Sequence, residues 1–163
     1  MTIDPVINHM KQLQQLHESL LSLSKRKTEA LKTNDVTGIQ QLLIQEKEHV
    51  QAIEKIEKQR ERSVTQWASE NGIPPRERTV SELIEILDGE EKERLQNAYE
   101  ALILVLADLK QQEKLNTELT QQSLQFINMS LDLLQPSLQS VNYGVKETNH
   151  GSTAKRSIFD SKA

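Results

Sequence analysis

The sequence predicts an all-α protein: an elongated, antiparallel, coiled-coil-like bundle of three long helices and one short helix, with a flexible C-terminal tail. Three observations carry this reading. Five Gly, four Pro and 3% aromatic residues are too few turn-formers and bulky strand residues for a β-sandwich or an α/β fold. Leu (22) and Gln (17) are abundant among the 163 residues, and both lose little rotamer freedom in a helix. Apolar residues also recur at three- and four-residue steps along most of the chain.

The first helix is expected over residues 5–33. Pro5 suits a first turn, and Val6, Met10, Leu13, Leu16, Leu20, Leu23, Ala30 and Leu31 form one stripe in which Lys27 fills the remaining heptad position. Thr33-Asn34-Asp35 then breaks the helix and offers a new N-cap. A second helix, 35–71, carries Ile39, Leu42, Leu43, Val50, Ile53, Ile56, Val64, Trp67 and Ala68. Asn71-Gly72 gives it a left-handed stop, and Pro74-Pro75 makes the stop firm. The short third helix, 79–88, opens on Thr79-Val80-Ser81-Glu82, whose first and last residues match a capping box. The fourth, 90–135, lies in 46 residues free of Gly and Pro and carries Leu95, Ala98, Leu102, Val105, Leu109, Leu119, Phe126, Ile127, Leu133 and Leu134. Short loops between stripes of this kind imply antiparallel neighbours. Residues 1–135 thus form the bundle, and 136–163, rich in Ser, Asn, Thr, Gly and Lys, form a mostly disordered tail.

Composition also excludes function classes. With no cysteine there is no disulfide, thiolate metal site or cysteine nucleophile, which fits a reducing, cytoplasmic setting. No apolar run reaches the roughly 18 residues of a membrane span, so direct membrane insertion is not expected. A net charge of −4 gives no basic footprint for nucleic acid. No nucleophile elbow, phosphate loop or dinucleotide glycine pattern is present, so neither an enzyme nor a cofactor is expected. Glu46 and His49 share a helical face at the spacing of di-iron carboxylate bundles, but the other Glu-x-x-His pair, Glu147 and His150, falls in the tail; no metal site is expected. Trp67 reads as a core or corner anchor. Asn116 reads either as a register-setting buried polar residue or as the point where the stripe becomes surface.

Leu119, Leu124, Phe126, Ile127, Leu131, Leu133, Leu134 and Leu138 spread over more than one helical face, and a helix apolar on two faces needs two partners. One is the bundle. The other is a second copy of the chain, the returning tail, or an amphipathic client helix laid into the groove. Two of the five aromatics fall in the polar tail, Tyr143 and the Phe159 of Ile158-Phe159, where they resemble short docking motifs.

The long N-terminal hairpin, the Pro-Pro-preceded short segment, the Leu/Gln-rich last helix, Asn142-Tyr143-Gly144 and the ending Ser157-Ile158-Phe159-Asp160-Ser161-Lys162-Ala163 resemble the FlgN family of flagellar export chaperones over the whole chain. That resemblance implies a cytoplasmic, non-enzymatic chaperone of the flagellar type III export system. Its clients would be the hook–filament junction proteins FlgK and FlgL, held by the apolar surface near the C-terminus, and Tyr143 would dock on the export-gate protein FlhA. The rival reading is a homodimeric coiled-coil scaffold that delivers no client.

Overall fold

A computed structural model describes residues 2–144 of the chain. Among them are α1 (Asp4–Lys32), α2 (Val36–Glu70), a 3-10 turn (Pro75–Glu77), α3 (Val80–Ile86) and α4 (Gly89–Gly144). The all-α class predicted by the sequence is what the described residues adopt. The chain divides into two compact units, Met1–Gln122 and Ser123–Ala163, and α4 contributes to both.

Local chemistry fixes the helix ends. Pro5 sits in the first turn of α1, where a missing N–H costs nothing, and Asp4 places a carboxylate at the positive end of the helix. After the left-handed Asn34 (φ 54°), the Asp35 side chain caps α2 by accepting a hydrogen bond from the Gly38 N–H at 2.9 Å. A Cβ at position 38 would meet the Asp35 carboxylate at 2.2 Å, so a side chain there would have to displace the capping carboxylate. Gly72, at φ +70°, turns the chain out of α2. Thr79 and Glu82 form both halves of the capping box of α3. The Glu82 carboxyl is held below its usual range by the Thr79 hydroxyl and then by the Thr79 backbone.

The long-range contacts of the first unit define helix directions. Ser19 meets His49, Lys27 meets Glu46, and His9 meets Ser63, so α1 numbers rise as α2 numbers fall and the hairpin is antiparallel. Along α4 the numbers rise together: Asp4 pairs with Arg94 at 2.8 Å, and Thr28 with Asn116 at 2.5 Å. Helix α4 therefore runs parallel to α1 and antiparallel to α2.

The main core lies where all these elements meet. Ile3, Val6, Ile7, Met10 and Leu13 pack with Val64, Trp67 and Ala68, with Ile73, Val80, Leu83 and Leu87, and with Leu95, Ala98 and Leu102. At roughly 1.5–3 kcal/mol for each large side chain removed from water, this cluster is the main stabilising contact. Leu83 is fully buried, so the seven-residue α3, too short to hold itself, is a plug seated in the core. Trp67 is buried in the same cluster as Ile73, the residue before the Pro-Pro pair.

Farther along, α1 and α4 meet through polar side chains. Ser24, Thr28 and Asn116 are all buried. The Asn116 amide donates to the Ser24 carbonyl at 2.9 Å, and its oxygen accepts from the Thr28 hydroxyl at 2.5 Å. The Ser24 hydroxyl donates to Glu113, and the Gln112 amide donates to Thr28. Of the two readings of Asn116, burial is the one realised.

Two expectations differ from the structure. Leu43 and Val50, placed on the α2 stripe, are exposed. Along this stretch Leu42, Glu46, His49, Ala52 and Ile53 form the inner side of α2, and Leu43 and Val50 lie one position farther round the helix, about 100° from Leu42 and His49. The helix expected to end at 135 continues through Pro136 to Gly144. A proline removes one i→i−4 bond at a cost of about 3 kcal/mol, and the good helix formers Leu133, Leu134 and Gln135 lead into it.

Leu83→Ala should cost roughly 2–5 kcal/mol, as expected for a cavity in a packed core. Asn116→Ala, which removes the bonds of its amide to the Ser24 carbonyl, the Ser24 hydroxyl and the Thr28 hydroxyl, should cost about 1–3 kcal/mol. Urea midpoints at unchanged m-value check both.

Candidate functional site

The first chemistry to place is the Glu46/His49 pair. The Glu46 carboxylate is taken by Lys27, at 2.8 Å, and Lys27 also reaches Glu113 at 3.2 Å. His49 uses one ring nitrogen on the Ser19 hydroxyl at 2.7 Å and the other on the Gln45 carbonyl at 2.8 Å. Both residues are therefore committed to the packing of α1, α2 and α4. Among the described residues, no group of three or more His, Asp and Glu is placed to hold a metal. Glu147 and His150 lie outside the described residues.

The surface of the second unit is different. From Ser123 to Gln135 no residue is buried. Phe126 is 72% exposed, Leu133 77%, Met129 65% and Leu131 54%, with Leu124, Ile127 and Leu134 all above half. At 100° per residue these side chains separate into two stripes. Leu124, Ile127, Leu131 and Leu134 fall on one side; Phe126, Met129 and Leu133 fall on the other, about 150° away. Gln125, Asn128, Asp132 and Gln135, all exposed, form a polar face between the stripes on one side.

Polar chemistry hardly dilutes this surface. The Ser130 hydroxyl donates to the Phe126 carbonyl at 2.9 Å, so it is spent on its own helix. Between Leu119 and Gly144 the sequence has a single charged residue, Asp132. Exposed apolar stripes with so little charge make this stretch the candidate interaction surface.

The structure thus brings Leu124, Phe126, Ile127, Leu131, Leu133 and Leu134 together on one exposed helical stretch. Leu119 stands apart from them: it is half-buried and belongs to the first unit. Leu138 and Tyr143 fall within the span of α4, and their side chains lie outside the described ones. Ile158 and Phe159 lie outside the described residues altogether.

Sequence reasoning missed a second feature. In the first unit an open cleft of about 720 Å³ runs between α1, α2 and α4, with Met10, Leu13, Ile53, Val64 and Leu102 among its lining residues and the stretch 78–81 at one end. Tyr99, at its edge, accepts a hydrogen bond from Ser81 at 3.2 Å. Arg60 donates to Glu57 on the rim, and this contact, chiefly, holds the Glu57 carboxyl below its usual range. The stabilisation it gives is complete above the ordinary value of 4.5 and is lost as the pH falls through the lower folded value. The cleft arises because α3 is too short to fill the fourth helical place along α1, α2 and α4. A short third helix beside three long ones was the available signal.

Among the described residues, no helix is long and apolar enough to cross a membrane. A family model described as FlgN protein matches residues 1–151. A Bacillus subtilis (strain 168) protein described as "Uncharacterized protein YvyG" is 37% identical over 166 aligned residues that cover the whole of both chains. No solved structure matches.

The placement of Lys27 makes its own prediction. Lys27→Ala leaves Glu46, whose side chain is 12% exposed, facing the bundle without its cation. The expected loss is roughly 1–3 kcal/mol, below that of a fully buried broken pair because Glu113 keeps one side of the site wet. Thermal unfolding of the variant beside the parent checks it.

Proposed function

The chain belongs to the FlgN family of flagellar export chaperones, and from that premise we propose that it holds the amphipathic terminal helix of FlgK and FlgL in the cytoplasm and delivers these clients to the export gate. The observation that carries the proposal is the exposed, nearly uncharged apolar stretch from Leu124 to Leu134. A client end that is unfolded before assembly presents an apolar helical face once it orders, and such a face lies well in an apolar partner surface. Capture hides that face from premature assembly and from proteolysis.

Ordering the client end costs free energy at the moment of binding, so affinity is moderate and release is reversible. That suits a protein that must hand its cargo over without consuming a nucleotide. Nothing in this role requires a reaction on the chain, and the proposed activity is non-enzymatic. The docking step belongs to Tyr143, whose Tyr-Gly context matches the family's tail tyrosine, and FlhA is the proposed receptor. Ile158 and Phe159 are proposed as a further tail motif.

Phe126→Asp or Leu133→Asp should weaken binding of a FlgK or FlgL C-terminal fragment at least tenfold, about 1.4 kcal/mol, with far-UV circular dichroism nearly unchanged. Unchanged affinity in both variants would move the client to the cleft beside Tyr99. Tyr143→Ala should leave client affinity intact and weaken FlhA binding, and an equal loss of both would abolish that division of labour. Failure of the full chain to bind either junction protein leaves the homodimeric scaffold reading in its place.

A further inference from the structure

We propose that the cleft between α1, α2 and α4 is the seat of the tail segment Lys155-Arg156-Ser157-Ile158-Phe159-Asp160 of this chain. This deepens the reading of Ile158 and Phe159 as a docking motif by naming their receptor, and it is independent of where the client binds.

The cleft is built to take a few apolar side chains. Met10, Leu13, Val64 and Leu102 are buried in its floor, while Ile103 and Leu106 on its α4 side are 45% and 37% exposed. Covering such a lining removes apolar surface from water. A volume of about 720 Å³ is that of a ligand pocket.

Charge arranges the rim. On α2, Glu57, Glu61 and Thr65 follow one another a turn apart, leading toward the 78–81 end, where Arg78 lies. Glu57 is held by Arg60, whereas Glu61 is exposed. Arg78 spends two of its N–H groups on the Ile73 carbonyl, at 3.3 and 3.1 Å, and because that acceptor is neutral the guanidinium charge stays unanswered. His17, toward the other end, places one ring nitrogen on the Leu13 carbonyl at 2.7 Å. Taken in order along α2, the cleft offers carboxylates, an apolar floor and then a cation.

One segment of the chain carries the complement in the same order. Among residues 145–163 the only adjacent pair of large apolar residues is Ile158-Phe159, preceded by Lys155-Arg156 and followed by Asp160. From Glu57 to Thr65 is about 12 Å of helix, and Lys155 to Asp160 extends to about 17 Å. Both charged ends and the apolar pair are therefore within reach of their counterparts at once. The apolar stretch at 124–134 fails this test, since its single charge, Asp132, repeats the sign of Glu57 and Glu61. Complementary charge of this kind fixes the register of a weakly held segment. A seated tail closes the cleft to other apolar segments by occupying it.

The chain has no cysteine, so an introduced pair reports the seat directly. Full-length protein carrying Ser161→Cys and Thr65→Cys is oxidised mildly and followed on non-reducing gels. The expected disulfide forms about tenfold or more faster than in a control pairing Ser161→Cys with Lys47→Cys, which lies on α2 outside the cleft, because docking raises the effective concentration of the two thiols. Phe159→Ser should return the rate to the control value. Glu61→Lys should slow it by about threefold, the size of an exposed charge pair, and Lys155→Glu with Arg156→Glu in that background should restore it. Should Thr65→Cys lower the melting temperature, Ile103→Cys takes its place. Monomeric product assigns the segment to the same chain and dimeric product to a second copy, and either supports the seat. A rate no faster than the control, or one indifferent to Phe159→Ser, overturns it. Adding a FlgK C-terminal fragment should leave the rate unchanged. A fragment that binds and suppresses the disulfide leaves the seat standing and overturns only the placement of the client at 124–134.

Discussion

The contact between Asn116 and α1 is the constraint on which the placement of α4 depends. A stripe of Leu, Ala and Val can slide along another at small cost, because one methyl group packs much like the next. A buried amide cannot: shifted by a turn, the Asn116 side chain would lose its Ser24 and Thr28 partners in a water-poor interface. Asn116 therefore pins the parallel register of α1 and α4 at an offset of 88 residues. Carried to the last residue of α1, Lys32, that offset ends at Thr120, close to where the first compact unit ends at Gln122. The register thus decides how much of α4 lies alongside α1.

The first unit divides its labour along its length. Around Trp67 and Leu83 the core is hydrocarbon and supplies the stability. Around Ser24, Lys27 and Asn116 it is polar, where burial gains little and specificity is the return. The short cluster Leu23, Ala30 and Leu42 closes the far end of the hairpin. Local opening should therefore begin at the polar end and leave the Trp67 core intact, since few apolar contacts hold α4 there.

What could be read from sequence was whatever the chemistry of neighbouring residues decides. Asp35 as a cap, Gly72 as a stop and the Thr79–Glu82 box all depend on residues within four positions of one another. The apolar residues at 124–134 were legible too, because an excess of Leu on two faces is a property of one helix. What was not legible depends on distant partners. Nothing near Leu43 or Val50 says that no helix would cover them, and nothing near Asn116 names Ser24 and Thr28. The cleft beside Tyr99 exists only because α3 is short relative to helices far away in sequence. Pro136 misled for the opposite reason: a strong local rule was overruled within a long helix.

An exposed stretch this apolar would ordinarily invite aggregation, and its construction limits the hazard. Apart from the one bond that Pro136 cannot make, backbone N–H and C=O groups inside the helix bond along the chain, so the surface offers side chains and no unpaired strand edge to a neighbouring molecule. The hydroxyls at Thr117, Thr120 and Ser130 bond to carbonyls one turn back, which removes polar groups from the surface without leaving them unsatisfied. With Asp132 as its one charge, such a surface does not select partners by electrostatic matching. It selects them by helical shape and by the absence of charge in what it meets, and most surfaces in a cell, being charged, fail that criterion through the cost of desolvation.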